Sequence, residues 1–189
     1  FVHRDIKPEN TIFDRQDGVT TLIDTGMLFK SSKDQVKHPG SEYGRPVGTP
    51  LYMPNLTEGG TEIDLHSLGV MTLGLDHPLA LEEIRDWTNN SGFGPRMLRR
   101  KLNEKIQELD KWIPRIQSPK RKEEIVALRD TLDRLRKDIA DPRTLAGFAM
   151  KCMQMAEQPA GFWKEHAQEA YSELLRDFDR DLFPGTEVN

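Results

Sequence analysis

The chain has 189 residues, enough to bury one core of ordinary size. Its 27 Lys and Arg against 31 Asp and Glu leave a net charge of −4, so the overall balance argues against nucleic acid or an anionic membrane surface as a partner. The single cysteine, Cys152, excludes an internal disulfide and a four-cysteine zinc knot, and it fits a reducing compartment such as the cytoplasm.

The chain opens on Phe1 rather than Met, and no basic stretch followed by an apolar run opens it, so no signal peptide is expected. The polar run Val2-His3-Arg4-Asp5-Ile6-Lys7-Pro8-Glu9-Asn10 comes first. Thr11-Ile12-Phe13-Asp14 and Val19-Thr20-Thr21-Leu22-Ile23 then flank Arg15-Gln16-Asp17-Gly18, the pattern of a β-hairpin around an Asp-Gly turn. Lys30 to Pro50 is Ser-, Lys-, Asp-, Gly- and Pro-rich and reads as an exposed loop of about 20 residues, a length that inside compact domains is usually functional or disordered. Leu68 to Leu75 is apolar but far short of the roughly 18 residues a membrane span needs, so it reads as buried soluble helix.

Near residue 95 the composition shifts: most of the 14 glycines lie before it and long charged segments follow. Leu102, Ile106, Leu109, Ile113 and Ile116 step by four and three, as do Ile125, Leu128, Leu132, Leu135 and Ile139, with Ser118-Pro119 between. Each series defines one apolar stripe, so an antiparallel helical hairpin is expected. It either packs on its own domain or offers a short coiled coil to a partner protein. A last amphipathic helix is expected from Gly161 to Phe183, with Phe162, Trp163, Ala167, Leu174, Leu175, Phe178 and Leu182 as core contacts.

A hairpin brings its ends together, so Asp5 and Asn10 before it and Asp24 after it can converge. Two carboxylates and an amide carbonyl are hard oxygen ligands suited to Mg²⁺, and Lys7 adds a positive charge beside them. Phosphoryl transfer asks for such a set: metal ions on the phosphates, a carboxylate that orients or accepts from the attacking hydroxyl, and a cation near the transferred group.

At these residues the sequence resembles the protein kinase family. His3-Arg4-Asp5-Ile6-Lys7-Pro8-Glu9-Asn10 is similar to the kinase catalytic loop, and Asp24-Thr25-Gly26 to its metal-binding DFG element. Gly48-Thr49-Pro50-Leu51-Tyr52-Met53-Pro54 resembles the end of the activation segment, and Asp64-Leu65-His66-Ser67-Leu68-Gly69-Val70 the start of the family's large buried helix. The resemblance implies a mainly α fold, a kinase-like C-terminal lobe with a short β-hairpin at the catalytic loop and an atypical helical extension. It divides the chain into a catalytic half, 1–96, and a helical remainder, 97–189.

By the same resemblance Asp5 is the catalytic base, Asn10 and Asp24 hold Mg²⁺, and Lys7 neutralises the phosphate transferred from ATP to a protein hydroxyl. Lysine two residues after Asp5 is the serine/threonine kinase form. His3 is implied to be structural, packing beneath the metal loop. Arg4 is implied to pair with a phosphate on the activation segment, where Ser31, Ser32, Ser41, Tyr43 and Thr49 are the hydroxyls; Thr49 alternatively touches Asp5 and Lys7. Asp64, otherwise a helix N-cap, is implied to accept hydrogen bonds from the catalytic-loop backbone. Cys152 is expected only to pack.

Three positions depart from the family. Thr25 replaces phenylalanine, Asn55 a glutamate that pairs with a distant arginine, and His66 a tryptophan. They leave a second reading open, a kinase-derived binding module whose C-terminal helices hold a partner protein. With the unfamiliar helices they also resemble effector kinases that pathogenic bacteria deliver into host cytoplasm. In the family the glycine-rich loop and β3 lysine precede the catalytic loop, and neither motif occurs here, so the expectation is the C-terminal lobe of a larger kinase.

Overall fold

The computed structural model describes residues 1–28, 48–54, 61–88, 94–158 and 160–182. Two antiparallel strands, β1 (Thr11–Phe13) and β2 (Thr20–Leu22), are followed by six helices: α1 (Thr61–Asp76), α2 (Pro78–Thr88), α3 (Pro95–Trp112), α4 (Pro119–Asp138), α5 (Leu145–Ala156) and α6 (Ala160–Leu182). Short 3₁₀ turns lie at Pro8–Asn10, Thr25–Met27, Pro50–Tyr52 and Ile113–Arg115.

The hairpin forms where the sequence predicts, with Thr11 opposite Leu22 and Phe13 opposite Thr20. Two local features close its turn. Gly18 takes φ +67°, a conformation cheap only without a Cβ, and the Asp14 carboxylate accepts the Gln16 N–H at 2.8 Å. The hairpin buries little, since Ile12, Phe13, Val19 and Leu22 all remain exposed.

The main core lies among the helices. Val70 and Leu73 of α1, Leu98 and Leu102 of α3, Leu132 and Leu135 of α4, and Ala149, Met150 and Met153 of α5 belong to one apolar cluster that also takes in Ile6 and Leu51. Helices α1 and α5 approach so closely that a Cβ on Gly69 would stand 2.7 Å from the Ala149 carbonyl oxygen. Proline opens α3 and α4, where its missing N–H costs nothing, and the Thr144 hydroxyl caps α5 by accepting the Gly147 N–H at 2.9 Å.

The helical hairpin of α3 and α4 packs its stripe into this same core through Leu102, Ile106, Leu109, Leu132, Leu135 and Ile139. Burial fades toward the link, where Ile113, Ile116, Ile125 and Leu128 are half-buried. A second cluster, Leu65, Phe148, Cys152, Ala170 and Leu174, seats α6, with the Phe148 and Phe178 rings edge to face at 4.6 Å. Leu175, expected in the core, is instead 61% exposed, because the inward face runs through Ala170, Leu174 and Phe178 at four-residue steps and Leu175 lies about 100° around the helix. Leu75, at the end of the apolar run, is likewise exposed on the last turn of α1. The expected core contacts Trp163, Ala167 and Leu182 have side chains outside the described residues, as does Phe183.

Candidate active site

Asp64 sits in the first turn of α1, and its carboxylate reaches back to the opening segment. Oδ2 accepts the His3 N–H at 2.6 Å and Oδ1 accepts the Arg4 N–H at 2.8 Å. Burial pushes the Asp64 carboxyl above its ordinary range, partly offset by those two bonds. Arg4 adopts φ +69°, a left-handed conformation rare for a bulky residue, which the flanking bonds impose. Gly48 lies against this turn: at φ +133°, any Cβ it carried would stand 2.7 Å from the Arg4 carbonyl oxygen. A chain reversal at Arg4 and a glycine 44 residues later thus fit together.

The reversal aims Asp5 inward, where it is only 6% exposed and both carboxylate oxygens are engaged. Oδ2 pairs with Lys7 Nζ at 2.7 Å and accepts from Asn10 Nδ2 at 3.0 Å. Oδ1 accepts from the Thr49 backbone N–H at 3.0 Å and from the Thr49 hydroxyl at 2.8 Å. Lys7 Nζ also donates to Thr49 Oγ1 at 2.9 Å, closing a ring of three side chains. Burial alone raises the Asp5 carboxyl, but the bonds from Lys7 and Thr49 and the Lys7 charge outweigh it, so Asp5 titrates below the ordinary carboxylate value and is ionised near neutral pH. Of the two roles weighed for Thr49, contact with Asp5 and Lys7 is the one its geometry presents.

Asn10 and Asp24 flank the open end of the hairpin. Ile23 N–H donates to the Asn10 carbonyl at 2.9 Å, so Asp24 follows directly on a residue tied to Asn10. The Asn10 amide nitrogen spends its hydrogens on the Asp5 carbonyl and carboxylate, which leaves its side-chain oxygen as the remaining ligand atom. Asp24 is exposed, takes φ +60°, and uses Oδ1 to accept Gly26 N–H at 3.3 Å. A carboxylate and an amide oxygen at one hairpin end suit a hard divalent cation. Among the described residues no group of three His, Cys, Asp or Glu gathers in metal-binding geometry, at this hairpin end or elsewhere.

His3 is buried, and its Nε2 donates to the Ile23 carbonyl at 3.1 Å, tying the opening segment to the strand end before Asp24. Its Nδ1 has no partner among the described residues. Arg4 Nε donates to the Met27 carbonyl at 2.6 Å, on the 3₁₀ turn that also carries Thr25. Ser31, Ser32, Ser41, Tyr43 and Asn55 lie outside the described residues.

Tyr52, His66 and Ser67, quoted in the motifs but given no such role by the sequence, help hold the Thr49 segment in place. The Tyr52 carbonyl, three residues on, accepts from Ser67 Oγ at 2.8 Å and from His66 Nδ1 at 3.2 Å, both on buried turns of α1. A carbonyl only accepts, so in this contact His66 Nδ1 is the donor. The signal was available in the neighbouring Ser67, but its partner lies 15 residues away and no local pattern reveals it. Cys152 is buried between α1 and α6, and burial pushes its thiol up to about 12, as expected of a packing residue. No described helix is long and apolar enough to cross a membrane.

No protein-family profile and no solved structure matches the chain. Part of it is similar to bacterial serine/threonine kinases. It is 38% identical over 78 residues to Serine/threonine-protein kinase PknA of Nostoc sp., and 38% identical over 78 residues to Serine/threonine-protein kinase C of Synechocystis sp.. The match takes in 39% of this chain but 14% and 15% of those two proteins, so the chain spans about a seventh of the length of the curated relatives it matches. That supports a kinase-related region within it.

Proposed function

We propose that residues 1–96 form the catalytic half of the C-terminal lobe of a serine/threonine protein kinase, which acts on the γ-phosphoryl group of ATP and a protein hydroxyl. Residues 97–189 are its helical remainder. The single observation that carries the reading is the closed set of bonds joining Asp5, Lys7, Thr49 and Asn10. Similarity over 78 residues to two bacterial serine/threonine kinases supports a kinase-related region in the chain.

In this reading the ionised Asp5 orients the substrate hydroxyl and accepts its proton. The Thr49 hydroxyl, which donates to Asp5 Oδ1 at 2.8 Å, already displays the approach a substrate hydroxyl needs. Lys7, fixed by Asp5 and Thr49, places an ammonium beside the transferred phosphoryl group, where preorganised charge is most effective. Asn10 and Asp24 would hold Mg²⁺, which when bound neutralises phosphate charge. Asp64 positions the loop through its two backbone bonds and touches no reacting atom.

The test is transfer of radiolabelled phosphate from ATP in the presence of Mg²⁺, using the longest polypeptide that carries residues 1–189, with phosphoamino-acid analysis of the product. Phosphoserine or phosphothreonine that disappears in Asp5→Ala supports the function. Equal labelling by both proteins would refute it.

A further inference from the structure

The link between α3 and α4 carries Lys111-Trp112-Ile113-Pro114-Arg115-Ile116-Gln117-Ser118-Pro119-Lys120-Arg121-Lys122: five cations, one tryptophan and no acid. Net charge conceals it, because the −4 of the whole chain averages a local excess of five positive charges against acids elsewhere. Three further observations set this tip apart.

The first is protrusion. On α4 the side chains from Lys120 to Glu124 are exposed, Ile125 and Leu128 are half-buried, and Leu132 and Leu135 are fully buried, so the hairpin rises out of the core toward its link. Trp112 stands at its end, 56% exposed. The second is missing pairing. Lower on the same hairpin Arg129 pairs with Asp110 at 3.0 Å across the two arms, and Lys137 pairs with Asp133 at 2.9 Å. At the tip only Arg121 has an acidic partner, Glu124 at 3.1 Å; Lys111, Arg115, Lys120 and Lys122 have none among the described residues. The third is a local conflict. Lys120, Arg121 and Lys122 occupy the first turn of α4, which holds no acid, so three cations face the positive end of the helix dipole.

We infer that this tip docks on an anionic lipid surface, with Trp112 seated at the headgroup level and Lys111, Arg115, Lys120 and Lys122 over acidic headgroups. A cluster of four or more cations beside an amphipathic aromatic ring is what such a surface attracts. A narrow convex tip offers little of the area that a stable protein interface buries, which is about 800 Å² per partner, whereas a fluid interface demands no matching shape. Prolines at 114 and 119 hold the link, so little ordering is lost on docking.

The experiment is co-sedimentation of the full chain with vesicles of phosphatidylcholine alone and of phosphatidylcholine containing about one third phosphatidylserine. Expected is binding at least about tenfold tighter to the acidic vesicles, lost on raising salt from about 0.1 to 1 M as the screening length shrinks from about 10 to 3 Å. Trp112→Ala and the triple variant Lys111→Glu, Lys120→Glu, Lys122→Glu should each weaken it about tenfold or more, with far-UV circular dichroism unchanged because every altered side chain is exposed. Equal pelleting with both vesicle types overturns the inference. So does wild-type binding by either variant, or tighter retention by an acidic polypeptide or duplex DNA than by the acidic vesicles.

Discussion

In helices α1 and α5, position is set by apolar contact: Val70, Leu73, Ala149 and Met153 are fully buried, and Gly69 lets the two backbones meet. In residues 1–28 only Val2 and Ile6 are buried apolar anchors, while Phe1, Ile12, Phe13, Val19, Leu22, Ile23 and Leu28 are exposed, and much of the segment's position is set by hydrogen bonds reaching in from Asp64 and Thr49. An apolar frame holds through many weak contacts, so it loses stability in proportion to volume removed. A polar site depends on a few directional bonds, so it loses its geometry when one donor or acceptor goes, while the frame stays folded. The difference separates variants that unfold the protein from variants that disturb only the polar site.

The largest effect on stability should come from the frame. Leu73→Ala removes a fully buried side chain and is expected to cost about 2–5 kcal/mol, read as a fall in the denaturant midpoint. Asp64→Ala strips two backbone N–H groups of their acceptor and should cost about 1–3 kcal/mol, together with loss of amide protection at His3 and Arg4 in hydrogen exchange. Thr49→Val deletes one hydroxyl that bridges Asp5 and Lys7, for a cost of about 1 kcal/mol, and should let the Asp5 carboxyl titrate at a higher pH in carboxylate NMR. Phe13→Ser, on the exposed hairpin, is expected to change stability by less than about 0.5 kcal/mol. A Phe13 effect as large as that of Leu73 would erase the contrast between the two regions.

Acid should separate the regions as well. Asp5 titrates lower in the folded chain than its ordinary value, so the unfolded chain binds the proton more readily and stability supplied by Asp5 grows with pH. That contribution is complete above the ordinary carboxylate value and is lost as pH falls through the lower folded value. Asp64, held above its ordinary value by burial, acts in the opposite sense as it ionises.

Much of this arrangement is legible in the sequence where cause and effect are close together. Asp17-Gly18 between two β-type runs announces the hairpin, the steps from Leu102 to Ile116 and from Ile125 to Ile139 announce two amphipathic helices, and Asp5, Lys7 and Asn10 share one short segment. Long-range placement is different. That Thr49 reaches Asp5, 44 positions away, or that Tyr52 is held by Ser67 and His66, depends on how the chain crosses itself. The resemblance to kinases suggested the Thr49 contact; periodicity and spacing could not. Leu174 and Leu175 are equally apolar neighbours, and only the phase of α6 against α5 decides which is buried. The basic tip was hidden for another reason, since summed charge has no position.

The central claim is that the Asp5 cluster transfers phosphate, and Asp5→Asn tests it most directly because it keeps the shape of the side chain while removing its charge and basicity. In steady-state transfer from ATP to a protein substrate, by the longest polypeptide carrying residues 1–189, the expected result is a fall in kcat of about 10²–10⁴-fold with little change in KM. Unchanged kcat in Asp5→Asn would contradict the account.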